Sequence, residues 1–342
     1  MNGANQTASA VRGWLLTAVR WIAALAVLAI LFHFLPTDTL RAALEKVPLA
    51  RFLIVVVLYL CVHCVGVLKW RMVVNAAGAQ LDLATSAQCY FGGLFGTLFL
   101  PSIVGGDVVW LAVGLKKSPR PAAVLTGNLA DRFLDVAAQA VLVTAGILLL
   151  PESAPEELEE TALGVFWSVA GVGAVLAMLA FLLRKRLLGG RSVKFRRRLA
   201  RIWHALRSLG GRPRVLVVGW VLGILIQFTF LVLTALLAIS CGLTLPLRVW
   251  LFAWPLAKLA AVLPITQGGM GVREAALVAL LAPFGAPGAL VLASGLVWEG
   301  VIIAGGLISG GIAFLLRRAS SRQAVRSSSR NRSLTPDSPA RE

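Results

Sequence analysis

The sequence predicts an all-α polytopic membrane protein, with about six full transmembrane helices plus two re-entrant or broken helix hairpins in inverted repeats. Three observations carry this expectation. Apolar residues make up 58% and charged residues 14% of the 342 positions, against roughly 45–50% and about 25% in soluble domains. Long apolar stretches recur, each near the roughly 20 residues needed to cross a hydrocarbon core of about 30 Å. A Leu-Pro string followed by a Gly-Gly pair occurs twice, each time between two apolar pieces too short to span.

The first stretch covers residues 14–35 and contains Arg20. Pro36, Thr37 and Asp38 follow it instead of a small-residue cleavage site, so it reads as a retained helix and not as a removed signal peptide. The second, 52–68, ends at Lys69-Trp70-Arg71, which has the form of a basic-aromatic interface anchor. After a polar turn at 75–85 comes a Gly-rich piece, 86–100, ending in Leu100-Pro101-Ser102-Ile103-Val104-Gly105-Gly106-Asp107. A second short piece, 108–115, runs into Lys116, Lys117 and Arg120. Pro and paired Gly between short apolar halves suggest a re-entrant hairpin, a backbone tolerated at membrane depth only when buried in protein or lining a wet cavity. A kinked helix is the competing reading.

A long span at 122–150 carries Asp131, Arg132 and Asp135, and the loop at 151–160 holds five glutamates and no basic residue. Further spans cover 163–183 and 215–239. A short piece at 249–263 ends in Leu263-Pro264-Ile265-Thr266-Gln267-Gly268-Gly269, and another covers 275–284. The last span is 289–316, after which residues 317–342, rich in Ser, Arg and Pro, are expected to form a disordered basic tail.

The net charge is +18, from 33 basic and 15 acidic residues. On a soluble protein that would suggest nucleic acid. Here twelve basic residues lie within 184–214 and seven more from Arg317 onward. Basic loops beside apolar spans mark the cytoplasmic side, and no groove-reading module is visible, so no nucleic-acid partner is expected. The loop 184–214, the N-terminal residues 1–13 and the C-terminal tail then lie in the cytoplasm, and the glutamate loop outside. A multi-pass protein of the plasma (inner) membrane results. Within the basic loop, Phe195, Leu199, Ile202, Trp203, Leu206 and Leu209 recur at helical spacing with arginines on the other faces. That is a basic amphipathic helix suited to an anionic leaflet.

Cys61 and Cys64 form a C-x-x-C around His63, read as small packing residues instead of a metal or redox pair. With three histidines in all and no second ligand pair, neither a metal nor a cofactor is expected.

The two broken regions match. Around the shared Leu-Pro and Gly-Gly strings, Gly78 and Leu81-Asp82-Leu83 face Gly242 and Leu245-Pro246-Leu247, while Thr126-Gly127 and Asp131 resemble Ser294-Gly295 and Glu299. Combined with the orientation, the first hairpin enters from the cytoplasm and the second from the opposite face. The domain at 14–316 therefore divides into repeat 1 (about 52–150) and an inverted repeat 2 (about 215–316). Inverted repeats with discontinuous helices at matching places point to a binding site near the midplane. Broken helix ends leave N–H groups that attract anionic groups such as phosphate; a purely structural hairpin contact is the alternative.

Charges at membrane depth define the candidate site. An Asp, Lys or Arg at helix centre costs about 2.5–3.5 kcal/mol, so such residues pair or face a cavity. Asp107, Asp131, Arg132, Arg273, Glu274 and Glu299 are the candidate substrate-binding residues, with Pro101, Gly105, Gly106, Pro264, Gly268 and Gly269 as the hairpin backbone. Asp131 and Asp135 stand one turn apart and repel, so a cation such as Arg273 or Lys258 compensates them, or one is protonated. Ion pairs that merely lock helices together are the competing reading, and Arg273-Glu274 could equally sit at the outer interface.

At these motifs the sequence resembles the transmembrane, flippase-like region of lysylphosphatidylglycerol synthases. The carrying residues are Lys69-Trp70-Arg71, Leu100-Pro101 with Gly105-Gly106-Asp107, Asp131-Arg132, and Gly268-Gly269-Met270-Gly271-Val272-Arg273-Glu274. The resemblance spans about residues 14–316. In that family a basic residue often stands three positions after the Gly-Gly-Asp aspartate, where this chain has Trp110. Full-length synthases also carry a soluble aminoacyl-transferring domain, whereas only the short tail follows here. The resemblance therefore implies a stand-alone member that translocates or handles a phospholipid or lipid-linked headgroup, with membrane lipids as partners, and not an enzyme of lysyl transfer. The alternatives are a membrane enzyme using a lipid-linked donor, and an accessory subunit of a separate lipid-modifying enzyme.

Overall fold

The computed structural model describes residues 37–99, 105–150, 164, 193–261, 266 and 269–333. Among these, all regular structure is helical. Helix α1 spans Thr37–Glu45, α2 Leu49–Ala76, α3 Leu83–Thr97, α4 Gly105–Lys117 and α5 Pro121–Leu148. Then come α6 (Val193–Gly210), α7 (Pro213–Ser240), α8 (Leu247–Ala260), α9 (Val272–Leu281), a 3-10 turn (Ala282–Phe284) and α10 (Gly288–Ser333). The chain is a membrane protein: α2, α7 and the Gly288–Ser320 part of α10 are long and apolar enough to cross a bilayer. The expected spans at 14–35 and 163–183 and the glutamate loop lie outside the described residues, Gly164 apart.

Local chemistry sets the boundaries. Pro121 and Pro213 each open a helix at a first-turn position, where the missing N–H has no intrahelical partner to lose. Asp82 caps α3 by accepting the Thr85 N–H at 3.2 Å. Between α2 and α3 the chain reverses through Gly78 at φ +101°. Asn75 clamps that turn, donating to the Leu81 carbonyl at 2.8 Å and accepting the Leu81 N–H at 2.7 Å.

Helix α5 has the same 28 residues as α2 and α7, about 42 Å at 1.5 Å per residue. The four helices α3, α4, α8 and α9 run 15, 13, 14 and 10 residues, about 15–22 Å, too short to cross alone. α3 packs on α4 and α8 on α9.

Two apolar cores meet at α2. One joins Val55, Val56 and Tyr59 to α7, α8, α9 and α10, through Leu231, Trp250, Phe252, Leu277, Trp298 and Val301. The other joins Val67, Trp70 and Val74 to Cys89, Tyr90 and Phe91 of α3, Trp110 of α4 and Val124 of α5. α10 lies closely along α3, because Gly306 and Gly310 leave no side chain between the backbone and Leu98 and Phe95. This spacing of small residues four apart is a common way for membrane helices to approach.

Three expectations are corrected here. Lys69 and Trp70 do not anchor an interface. α2 continues to Ala76, and both side chains are buried, Trp70 completely, because they fall on the inward stripe with Val73 and Val74. Cys61 and Cys64 are exposed on the outer face of α2, while His63 between them faces inward, so the pair does not pack inside. The last helix runs on to Ser333 instead of giving way to disorder after Arg317; Ala, Gln and Arg after Leu316 are good helix formers, and a preformed helix needs no new nucleus.

Candidate functional site

Helices α2 and α5 are held together by a buried charge cluster. Lys69 Nζ donates to Asp131 Oδ1 at 2.7 Å and to Asp135 Oδ1 at 2.6 Å. Arg132 adds longer contacts, 3.5 Å to Asp131 Oδ2 and 3.6 Å to Asp135 Oδ2. The Lys69 and Asp131 side chains are each only 3% exposed. The cation demanded by two carboxylates one turn apart is therefore Lys69 together with Arg132, and not Arg273 or Lys258. A buried ion pair needs such saturated partnering, since removing one member strands the other.

Arg132 also explains Trp110. Its guanidinium lies 4.9 Å over the indole, which stacks on Tyr90 at 4.5 Å and donates from Nε1 to the Tyr90 carbonyl at 2.6 Å. At this position, where the family often carries a cation, the aromatic face receives one.

A second cluster lies on α9 and α10. Arg273 Nη2 reaches Glu274 Oε1 and Glu299 Oε2, each at 2.6 Å. Glu274 Oε2 accepts the Gly271 N–H at 2.8 Å, tying the α9 N-terminus to its own first turn. Gly271 has φ +82° and Gly269 φ +79°, conformations that a side chain disfavours. Arg273, Glu274 and Glu299 are all buried within the protein.

The two clusters do not merge into one lining. A cavity of about 350 Å³ opens beside the second, with Arg273 and Glu299 in its wall, while Asp131, Arg132 and Glu274 are outside that wall. Glu274 stands behind, packed on Gly295. Gly105, Gly106 and Asp107 occupy the first turn of α4; the Asp107 side chain, Pro101, Pro264 and Gly268 lie outside the described residues.

Sequence reasoning left several wall residues out of the site. Lys258 lines the cavity and donates to Gln227 Oε1 at 2.7 Å, with the Phe230 ring 5.6 Å away. Among the described residues no carboxylate lies within ion-pair distance of it, although it is in electrostatic range of Asp135 on one side and Arg273 on the other. His63 Nε2 and Trp254 Nε1, both buried in the wall, make no hydrogen bond among the described residues. The signal for Lys258 was its place in an apolar helix. His63 carried none beyond helical phase with Tyr59 and Gly66.

The cavity wall is mostly apolar, with Lys258, Arg273 and Glu299 set among aromatic side chains. Glu299, Arg273, Tyr59 and Trp298 are buried, whereas Phe99, Ile303 and Leu307 of the same wall are 56%, 41% and 54% exposed on the outer surface.

Residues 11–310 match the family model described as the lysylphosphatidylglycerol synthase TM region. A search of the curated proteins finds no match.

Proposed function

The chain belongs to the lysylphosphatidylglycerol synthase TM-region family, and on that premise we propose that it is a flippase-like protein, translocating a phospholipid or lipid-linked headgroup through the cavity between α2, α7, α8 and α10. The family places the protein in membrane lipid handling. The observation that carries the finer reading is the graded wall, with Lys258 and the Arg273–Glu299 pair inside and Phe99, Ile303 and Leu307 at the edge. An anionic headgroup would take Lys258 as counter-ion and the Trp254 and His63 ring nitrogens as hydrogen-bond partners, while its acyl chains stay in lipid. Burying a charge without partners is prohibitive, so a cation whose described partner is a neutral amide marks where the headgroup charge sits.

The same reading keeps Asp107, Asp131, Arg132 and Glu274 as its supporting shell. It also keeps the topology: repeats at about 52–150 and 215–316 of opposite orientation, termini in the cytoplasm of the plasma membrane, and the basic segment 184–214 on its anionic leaflet. Two pairs of short, mutually packed helices at corresponding places support it. No bond is made or broken in this role, so purified protein given a lipid-linked donor yields no product.

The test is reconstitution in liposomes with headgroup-labelled phospholipids and a membrane-impermeant quencher. Wild type moves label between leaflets, and K258Q and E299Q slow it at least tenfold. Unchanged rates in K258Q, E299Q and R132A for every lipid that wild type moves would falsify the assignment.

A further inference from the structure

A second cavity, of about 500 Å³, lies where α6 meets the turn between α4 and α5. It shares no wall residue with the first. Its charged lining is of one sign: Arg120 and Arg201 contribute, with His204 beside them, and no carboxylate does among the described residues. Arg201, His204 and Ser208 recur at intervals of three and four, so one face of α6 presents all three. The opposing wall is the first turn of α5, where Pro121 has no N–H to donate and the Ala122 N–H has no backbone acceptor among the described residues. That end carries the partial positive charge of a helix N-terminus.

The parts are held in place. Ser208 donates from its hydroxyl to the Ala76 carbonyl at 3.0 Å, and Ala205 and Leu209 are buried against neighbouring helices. Arg120 is exposed and extends over Gly78, where an added Cβ would make ordinary contact with Nη1 at 3.5 Å. On another side of α6, Trp203 and Leu206 are 58% and 46% exposed. An exposed tryptophan and leucine beside arginines are the marks of a helix lying in the headgroup layer.

We propose that this cavity is a binding site for one anionic phosphate group, held by Arg120, Arg201 and His204 with the α5 N-terminus, and separate from the headgroup path. A phosphate monoester or diester fits its chemistry: guanidinium groups bind phosphate oxygens through paired N–H donors, and an open helix N-terminus adds to them. Occupied by a lipid, the site clamps α6 to the end of α5, and so couples leaflet charge to the helix that carries Asp131 and Asp135. The proposal stands whether or not the protein translocates lipid.

The experiment uses full-length protein in nanodiscs of phosphatidylcholine, with phosphatidylglycerol added in one arm and inorganic phosphate titrated in the other. Native mass spectrometry counts retained lipid, and isothermal titration calorimetry follows phosphate. R120Q, R201Q and H204Q are compared with R207Q, which is outside the cavity wall. Each arginine removed from the wall weakens binding about fivefold, and R207Q leaves it unchanged. Loss in the lipid arm alone identifies a headgroup as the occupant, and loss in the phosphate arm alone identifies free phosphate. Equal weakening by R207Q, or retention of binding in the R120Q/R201Q double variant, overturns the site. Every protein compared carries K258Q as background, so that lipid or phosphate held in the translocation path adds nothing to the count.

Discussion

Lys69 on α2 donates a 2.7 Å hydrogen bond to Asp131 on α5, in an environment where each side chain is 3% exposed. The same ammonium holds Asp135 at 2.6 Å, so one cation secures two carboxylates and two helices. K69M leaves both acids with only the longer Arg132 contacts, a change that costs up to about 3–5 kcal/mol for a buried pair. The expected result is a large fall in thermal midpoint in detergent. K69M/D131L should recover part of it, and an unaltered midpoint in K69M would show that the cluster does not hold the bundle.

Glycine 269 gives a cleaner geometric case. An added Cβ would lie 2.7 Å from the Ala261 Cβ and 2.9 Å from its carbonyl oxygen, at φ +79°. G269A is therefore expected to destabilise by roughly 1–3 kcal/mol, from strain and crowding together. G311A is the control: nothing lies within 4 Å of its position, and alanine in a helix gains up to about 1 kcal/mol over glycine. Opposite signs in paired thermal melts are the expected outcome.

Trp110 is buried between Tyr90 and Arg132. W110A removes a large ring and the second hydrogen bond to the Tyr90 carbonyl, at about 3–5 kcal/mol. W110F keeps most of the stack and is expected to cost less than half as much. Denaturant titration of the two variants distinguishes them, and equal losses would mean that the indole N–H outweighs the ring.

At the exposed turn before α3, hydrogen bonding from Thr85 holds the Asp82 carboxyl below its ordinary range. A depressed folded value means that the contribution is present above the unfolded pKa of about 4. It is lost as pH falls through the folded value. D82N should thus lower stability slightly at neutral pH, by at most about 1 kcal/mol, and flatten its decline below pH 4. Melting curves from pH 3 to 7 read both effects.

Much of the helix layout was legible because its causes are local. Pro121 and Pro213 open helices, and the apolar runs at 215–239, 249–263 and 275–284 correspond closely to α7, α8 and α9 with the 3-10 turn. The need for a cation beside Asp131 and Asp135 was also legible, since like charges one turn apart repel wherever they occur. Its identity was not. Lys69 is far away in sequence, and only the packing of α2 on α5 brings it in. A basic residue followed by Trp70 and Arg71 at the end of an apolar run looks the same whether it faces headgroups or protein. Arg273, Glu274 and Glu299 were found by their charge alone. Their separation from Asp131 and Arg132 depends on how α9 and α10 stack, and no spacing within one helix encodes that.

The buried charges also have an electrical consequence. In their ordinary ionised forms, the cations Lys69, Arg132, Lys258 and Arg273 balance the anions Asp131, Asp135, Glu274 and Glu299. These eight side chains are thus neutral in sum, and on the proposed reading an anionic passenger carries its own charge across. Each such charge exchanges about 2.3 kcal/mol with a 100 mV membrane potential. On the proposed reading, a cell interior held negative favours outward movement of such a passenger.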